Sequence, residues 1–519
     1  MDGGSCASAR ARVGSGCGRR AGLAAAAALL CALALPASSS ATEHEQPPSS
    51  FEPVLEAENF SITQQRQAIY DTPEYQQQLA EQGLANHEEA TTEQLADPER
   101  NFSEDLCYEG ENGCAGDVRL YHWETNGYGR VRKVLFTARN GATISGRIWS
   151  AVDPAKRPNA KLPGVVITNG SVQADEQMYW YAAQALAKDG YLVMTFDPQG
   201  QGQSDTLGQA PDELEGFPAQ SDGRPFYDGT EDAIDFFLSS PKHPYEPVPS
   251  CETGTSHAAK QDERVAKGLD AAYNPLWHEL RRGGIGLAGH SYGAAGVSYI
   301  AQWDPRVKAV VAWDNLGAPE PSSEGPDGAS LGEKPCPADP AARTTVPITK
   351  PGLGMSADYG LPPTPNTELP DPEGKSKESL AYSAAGVDSG QLIIRGGSHL
   401  DFSFIPNQAF GASLRGPDEV AWYTSAWFDK YVKGQRSADR RLLTNRWRED
   451  PVEAAVDSHH DGNAFSFYYY SRLDIHLAGG EPFDCENLRK GCAGMVRERN
   501  PGSYSYLATD TSPLGFDKP

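Results

Sequence analysis

Residues 286–296 read GLAGHSYGAAG, and inside them Gly289-His290-Ser291-Tyr292-Gly293 fits G-x-S-x-G. Glycines two residues to either side of a serine suit a sharp strand-to-helix turn. Such a turn lifts the hydroxyl above a sheet edge and sets it at a helix N-terminus. The chemistry would be attack on an acyl carbonyl by a hydroxyl that a neighbouring base activates. The chain holds 53 glycines in 519 residues, so the pattern also arises by chance and its surroundings must decide. The bland alternative is an ordinary small-residue turn.

Four histidines follow Ser291: His399, His459, His460 and His476. His399 lies in GGSHLDFS, directly after the apolar run QLIIR (391–395). A strand-end loop can carry its imidazole to the same sheet edge as Ser291, so His399 is the expected base. His459 and His460 sit in polar DSHHDG and read as solvated, while His476 alternates within LDIHLAG and reads as structural. An acid to orient the imidazole is sought between Ser291 and His399. Asp358, in GLGMSADYGLPP, follows an apolar stretch and precedes a turn, and it is the first choice. Asp314, ending VVAWD, is the alternative, and either aspartate would also suit a turn. Two N–H donors are needed for a developing oxyanion. Tyr292 supplies one, and the loop NGSVQ after GVVITN the other, with Ser171 preferred to Val172.

These groups need a scaffold that brings strand ends together. VRLYHW, RVRKVLFT and ATISGRIW, between Val118 and Trp149, read as three antiparallel strands. Apolar strands then alternate with amphipathic helices: GVVITN (164–169), EQMYWYAAQALAKDG, YLVMTFD (191–197), DGTEDAIDFFLSS, IGLAGH (285–290), Tyr292–Trp303 and VKAVVAW (307–313). GLGMSA (352–357), QLIIR and the helix GPDEVAWYTSAWFDKYVKG complete the series. That order predicts an α/β fold, a mostly parallel sheet with helices on both faces. Residues 206–227, 241–283 and 314–350 are Pro- and Gly-rich insertions into a 101–434 catalytic domain. Residues 42–100 read as a polar arm outside the core, helical over YQQQLAEQGLANHEEATTEQLA, and 435–519 as an appended C-terminal extension.

RRAGLAAAAALLCALALPASSSA (19–41) has the basic pair, short apolar core and small residues of a signal peptide cleaved near Ala41. Secretion is the expected fate, and no later segment reads as a membrane span. A formal net charge of −25 argues against nucleic acid as a partner. Six of the nine cysteines follow Ala41: Cys107, Cys114, Cys251, Cys336, Cys485 and Cys492. An even number in an exported chain favours disulfides. The two C-x6-C pairs close small loops, Cys107 with Cys114 and Cys485 with Cys492, which leaves Cys251 with Cys336. No histidine stands at zinc-ligand spacing from these cysteines, so no metal is expected.

DPQGQGQSD (197–205), GHSYGAAG (289–296), MSADYGLPP (355–363) and GGSHLDF (396–402), in that order, resemble the α/β-hydrolase superfamily across about residues 118–434. The resemblance implies an α/β-hydrolase fold of about eight strands and a Ser-His-Asp triad. It also implies an acid after the seventh strand, which favours Asp358. SHLDFSFIPN followed by VAWYTSAWFDKYV is similar to bacterial cutinases and to dienelactone-hydrolase-like and platelet-activating-factor-acetylhydrolase-like enzymes, although Tyr292 stands where cutinases usually carry Met. The expectation is a secreted serine esterase without cofactor, acting on a small or polymeric ester. A peptidase or amidase on the same residues, and a non-catalytic binding protein, are the alternatives. Acyl chain length and oligomeric state stay open.

Overall fold

The computed structural model describes residues 73–101, 123–125, 127–171, 175–213, 216, 224–318, 346–359, 370–403, 415–445, 463 and 465–495, all within one compact unit, Phe51–Pro519. Among the described residues, ten strands form one mixed sheet: β1 Arg130–Thr137, β2 Thr143–Ser150, β3 Leu162–Thr168, β4 Leu192–Phe196, β5 Leu280–His290, β6 Val307–Trp313, β7 Gly352–Tyr359, β8 Ser389–Ser398, β9 Arg472–His476 and β10 Pro482–Cys485. Their order is β1-β2-β4-β3-β5-β6-β7-β8-β9-β10. The central pairings, from β4 through β8, are parallel; β1–β2, β2–β4, β8–β9 and β9–β10 are antiparallel.

Eight helices are described: α1 Pro73–Ala96, α2 Trp180–Lys188, α3 Arg224–Leu238, α4 Ala258–Ala266, α5 Tyr292–Trp303, α6 Lys377–Ala384, α7 Arg415–Tyr431 and α8 Ala438–Leu442. Side chains alternate along each central strand, so neighbouring residues feed different cores. Val165, Ile167, Val193, Val311 and Trp313 pack under α2 and α7, whereas Val166, Leu192, Met194, Val310 and Ala312 pack under α3 and α5. Residues buried on both faces explain why these strands read as near-continuous apolar runs. Each buried Val or Leu side chain adds about 1.5–3 kcal/mol.

The sheet exceeds the expected eight strands because the C-terminal extension joins it. β9 pairs with β8 through Gly390↔Leu473, β10 returns on β9 as a hairpin, and the Cys485–Cys492 disulfide ties the end of β10 to the turn after it. Among the expected antiparallel strands, most of VRLYHW lies outside the described residues. EQMYWYAAQALAKDG divides into a 3-10 turn, Glu176–Tyr179, and α2.

The 42–100 segment is not wholly outside the core. The C-terminal half of α1 buries Asn86 and Ala90, and Asp97 and Arg100 are buried just beyond it. Glu93 pairs with Lys133 at 2.5 Å, Asp97 with Arg264 at 2.8 Å, and Arg100 with Asp205 at 2.7 Å; Glu89 reaches Arg147. The cations that receive this polar helix are spread over β1, β2 and α4, which no local pattern reveals.

Candidate active site

Ser291 closes β5 and opens α5 with φ 55° and ψ −119°. A left-handed backbone costs a non-glycine residue about 1–3 kcal/mol and persists only where its surroundings impose it. Here they do. Ser291 N–H donates to Trp313 O at 2.9 Å. A Cβ on Gly289 would lie 2.4 Å from Gly293 O, and one on Gly293 only 2.2 Å from Asn169 O. Both glycines are therefore steric requirements of the turn.

Parallel pairing sets the levels of the neighbouring strand ends. His290 is in register with Trp313, so Ser291 and Asp314 leave β5 and β6 at the same height. His399 follows β8 immediately and starts a short turn that Ser398 caps by accepting from Leu400 N–H. His399 Nδ1 lies 2.7 Å from Asp314 Oδ2. A carboxylate only accepts, so Nδ1 carries a proton, and in the neutral ring the lone pair lies on Nε2. The His399 side chain is 19% exposed and that of Asp314 is 3% exposed. Burial pushes the Asp314 carboxyl up. The hydrogen bond and charge of His399, the Lys375 ammonium and the Ser356 hydroxyl outweigh it and hold the carboxyl below its ordinary value.

The acid beside the imidazole is thus Asp314, the alternative in the sequence, and not Asp358. Asp358 is fully buried in β7, where Oδ2 accepts from Gly396 N–H at 2.7 Å and Oδ1 accepts from the Ser466 hydroxyl. Its carboxylate fastens the β8 backbone and the C-terminal extension. Lys375 lies close by, donating to Ala357 O with its ammonium 4.6 Å from the centre of the Tyr469 ring.

Asn169-Gly170-Ser171 leaves β3 on the other side of the elbow. Gly170 N–H donates to Tyr179 Oη at 2.9 Å, and a Cβ at Gly170 would sit 3.2 Å from Ser291 Cβ. Ser171 is half-buried next to it, and Tyr292 opens α5; Val172 lies outside the described residues. Asp197, which starts the Gly-rich DPQGQGQSD stretch, accepts from Asn169 Nδ2 at 2.9 Å, Glu176 N–H at 2.7 Å and Gln203 N–H at 3.0 Å. That motif braces the β3 loop. Tyr179 and Asp197 are site supports that the sequence does not single out; for Asp197 the signal is the position of DPQGQGQSD just after a strand.

Another Ser/Asp/His group lies elsewhere. Ser250 Oγ donates to Asp212 at 2.6 Å, and His257 Nε2 contacts the same carboxylate at 2.8 Å. The carboxylate stands between hydroxyl and imidazole, so this histidine does not face the serine proton, and the group ties two insertions together. His476 is exposed on β9 and pairs with Asp388 at 2.7 Å; His459 and His460 lie outside the described residues. Cys251 is disulfide-bonded, while Cys107, Cys114 and Cys336 lie outside the described residues. Among the described residues no group of three His, Cys, Asp or Glu side chains is arranged to hold a metal ion, and no helix is long and apolar enough to cross a membrane.

No family model matches the chain. A protein described as Hydrolase LUC6, from a Fusarium species, is similar at 38% identity over 76 residues, 15% of this chain and 18% of that protein. The match therefore spans under a fifth of its curated relative. Among solved structures, a ferulic acid esterase from Streptomyces cinnamoneus aligns with 59% of this chain and 90% of its own at 14% identity and a TM-score of 0.35.

Proposed function

We propose that the chain is a secreted serine hydrolase of the α/β-hydrolase fold that cleaves carboxylic esters, with Ser291 as nucleophile, His399 as base and Asp314 as orienting acid. The observation that carries this reading is the Asp314–His399 pair, 2.7 Å apart, at the same sheet edge as the left-handed Ser291 turn. The short match to a hydrolase agrees with it.

His399 Nε2 takes the Ser291 proton as Oγ attacks the acyl carbon. Asp314 holds the proton on Nδ1 and stabilises the imidazolium. The N–H groups of Tyr292 and Ser171 receive the oxyanion. Collapse breaks the ester C–O bond, and His399 returns the proton to the departing alcohol. Water, deprotonated by the same nitrogen, then releases the acid and restores the Ser291 hydroxyl.

Labelling with a fluorophosphonate, together with turnover of p-nitrophenyl esters of graded chain length, tests the proposal on the wild type and Ser291→Ala. Label and turnover present in the wild type and lost in the variant are expected. A folded wild type that takes no label and cleaves no ester refutes it. Residues 1–41 are read as the export signal, so the secreted protein should begin near Thr42 by intact-mass measurement.

A further inference from the structure

We infer that His290 and Tyr179 are positioning residues that lock the His399 backbone and the loop after β3 to the Ser291 turn. This inference rests on the hydrolase reading above. His290 precedes Ser291, and its ring packs against the ring and backbone of His399 rather than bonding the His399 imidazole nitrogens. Its Nε2 lies 3.0 Å from His399 O, and its Nδ1 lies 2.8 Å from Tyr179 Oη, which in turn accepts from Gly170 N–H at 2.9 Å.

The proton positions follow from the partners. A carbonyl oxygen only accepts, so His290 Nε2 carries its proton. Burial, with the neighbouring His399, pushes the His290 pKa well below its ordinary value, so the ring is neutral and Nδ1 accepts. Tyr179 must then donate to Nδ1, while its oxygen lone pair takes the Gly170 N–H. Both side chains are buried, Tyr179 completely. The Tyr179 ring also stacks parallel to Trp313, 6.3 Å away and one residue before Asp314, and the His290 and His399 rings are 4.5 Å apart.

One buried chain of hydrogen bonds thus spans the elbow, the histidine loop and the loop after β3. Two consequences follow. The His399 backbone is fixed relative to Ser291 through a single intervening side chain. The Gly170 N–H is committed to Tyr179, which leaves Ser171 as the next donor of that loop for an oxyanion.

The test compares Tyr179→Phe, His290→Ala and His290→Gln with the wild type, reading kcat and KM on a p-nitrophenyl ester and folding by near-UV circular dichroism. Glutamine can donate to His399 O and accept from Tyr179, so it should restore what alanine removes. Tyr179→Phe and His290→Ala should lower kcat about ten- to a hundredfold with KM within about threefold, as misplacement of reacting groups does. His290→Gln should remain within about fivefold of the wild type. If His290→Ala does not fold, Tyr179→Phe, which deletes a single hydroxyl, and His290→Gln decide. Wild-type kcat in folded Tyr179→Phe overturns the inference. So does a folded His290→Gln whose kcat falls a hundredfold. An inactive wild type refutes the hydrolase reading instead, and the two failures are told apart by the wild-type measurement.

Discussion

Asp314→Asn and Asp358→Asn form the sharpest contrast the site offers. Asp314→Asn keeps the side-chain shape but removes a unit charge bonded at 2.7 Å to His399 Nδ1. With charge centres about 4 Å apart and an effective dielectric of about 20, the imidazolium that forms during attack loses about 4 kcal/mol of stabilisation. At roughly 1.4 kcal/mol per factor of ten, kcat falls about a thousandfold. An amide N–H turned towards Nδ1 would also move the ring proton to Nε2, where it blocks transfer from Ser291. That carries the loss towards about 10⁴. Asp358→Asn should instead keep kcat within about tenfold and cost about 1–3 kcal/mol of stability, because the oxygens of Asp358 serve Gly396 N–H and the Ser466 hydroxyl. The assay is p-nitrophenyl butyrate hydrolysis normalised to fluorophosphonate-titrated sites, with urea unfolding in parallel. An Asp314→Asn enzyme with near-wild-type kcat, or a folded Asp358→Asn enzyme that is equally crippled, refutes the assignment of the acid.

Gly293→Ala places a Cβ 2.2 Å from Asn169 O and 2.4 Å from Thr168 O, both backbone atoms. Overpacking of this kind should cost about 1–3 kcal/mol or more and abolish labelling of Ser291, which a thermal melt and a gel-based probe will read. Lys375 is buried; burial pushes its ammonium pKa down while Asp314 and Asp358 draw it up. Lys375→Met should destabilise by about 3–5 kcal/mol, and Asp358→Asn in the same chain should recover part of that loss; strict additivity in urea unfolding would sink the idea. Glu89 is favoured towards its neutral form by burial, but Arg147 and Lys133 outweigh that and hold its carboxyl below the ordinary 4.5. A depressed carboxyl contributes above its unfolded value and loses its contribution as pH falls through the folded one. Hydrogen exchange in α1 should therefore accelerate below about pH 4.5 relative to β3, and Glu89→Gln should flatten that dependence.

The central strands and their helices were legible because residues buried on both faces leave unbroken apolar runs, as in GVVITN and VKAVVAW. Ser291 and His399 were legible for a related reason: each follows such a run directly, and parallel strands end at one edge. The ion pairs of α1 and the residues after it were not, because Glu89, Glu93 and Asp97 meet cations whose spacing along the chain carries no period. Nor were β9 and β10. They extend a sheet whose edge strand, β8, gives no mark in its own sequence that it is to be paired.

The choice between Asp314 and Asp358 shows where a single sequence runs out. Asp197, Asp314 and Asp358 are all buried aspartates at the ends of parallel strands. Asp197 and Asp358 bind backbone N–H groups, and only Asp314 faces the His399 imidazole. The three share strand context and chemistry; they differ in which loop crosses in front of them, which is a tertiary fact. In the structure their backbones differ as well. Asp314 has φ 46°, a left-handed conformation that aspartate tolerates better than most side chains. The Asp-Asn pair that closes VVAWDN suits such a reversal, whereas Asp358 still lies inside β7. An aspartate that turns the chain out of the sheet is free of the ladder and can offer its carboxylate to a neighbouring loop. One that remains within a strand is better placed to satisfy the backbone of the strand beside it.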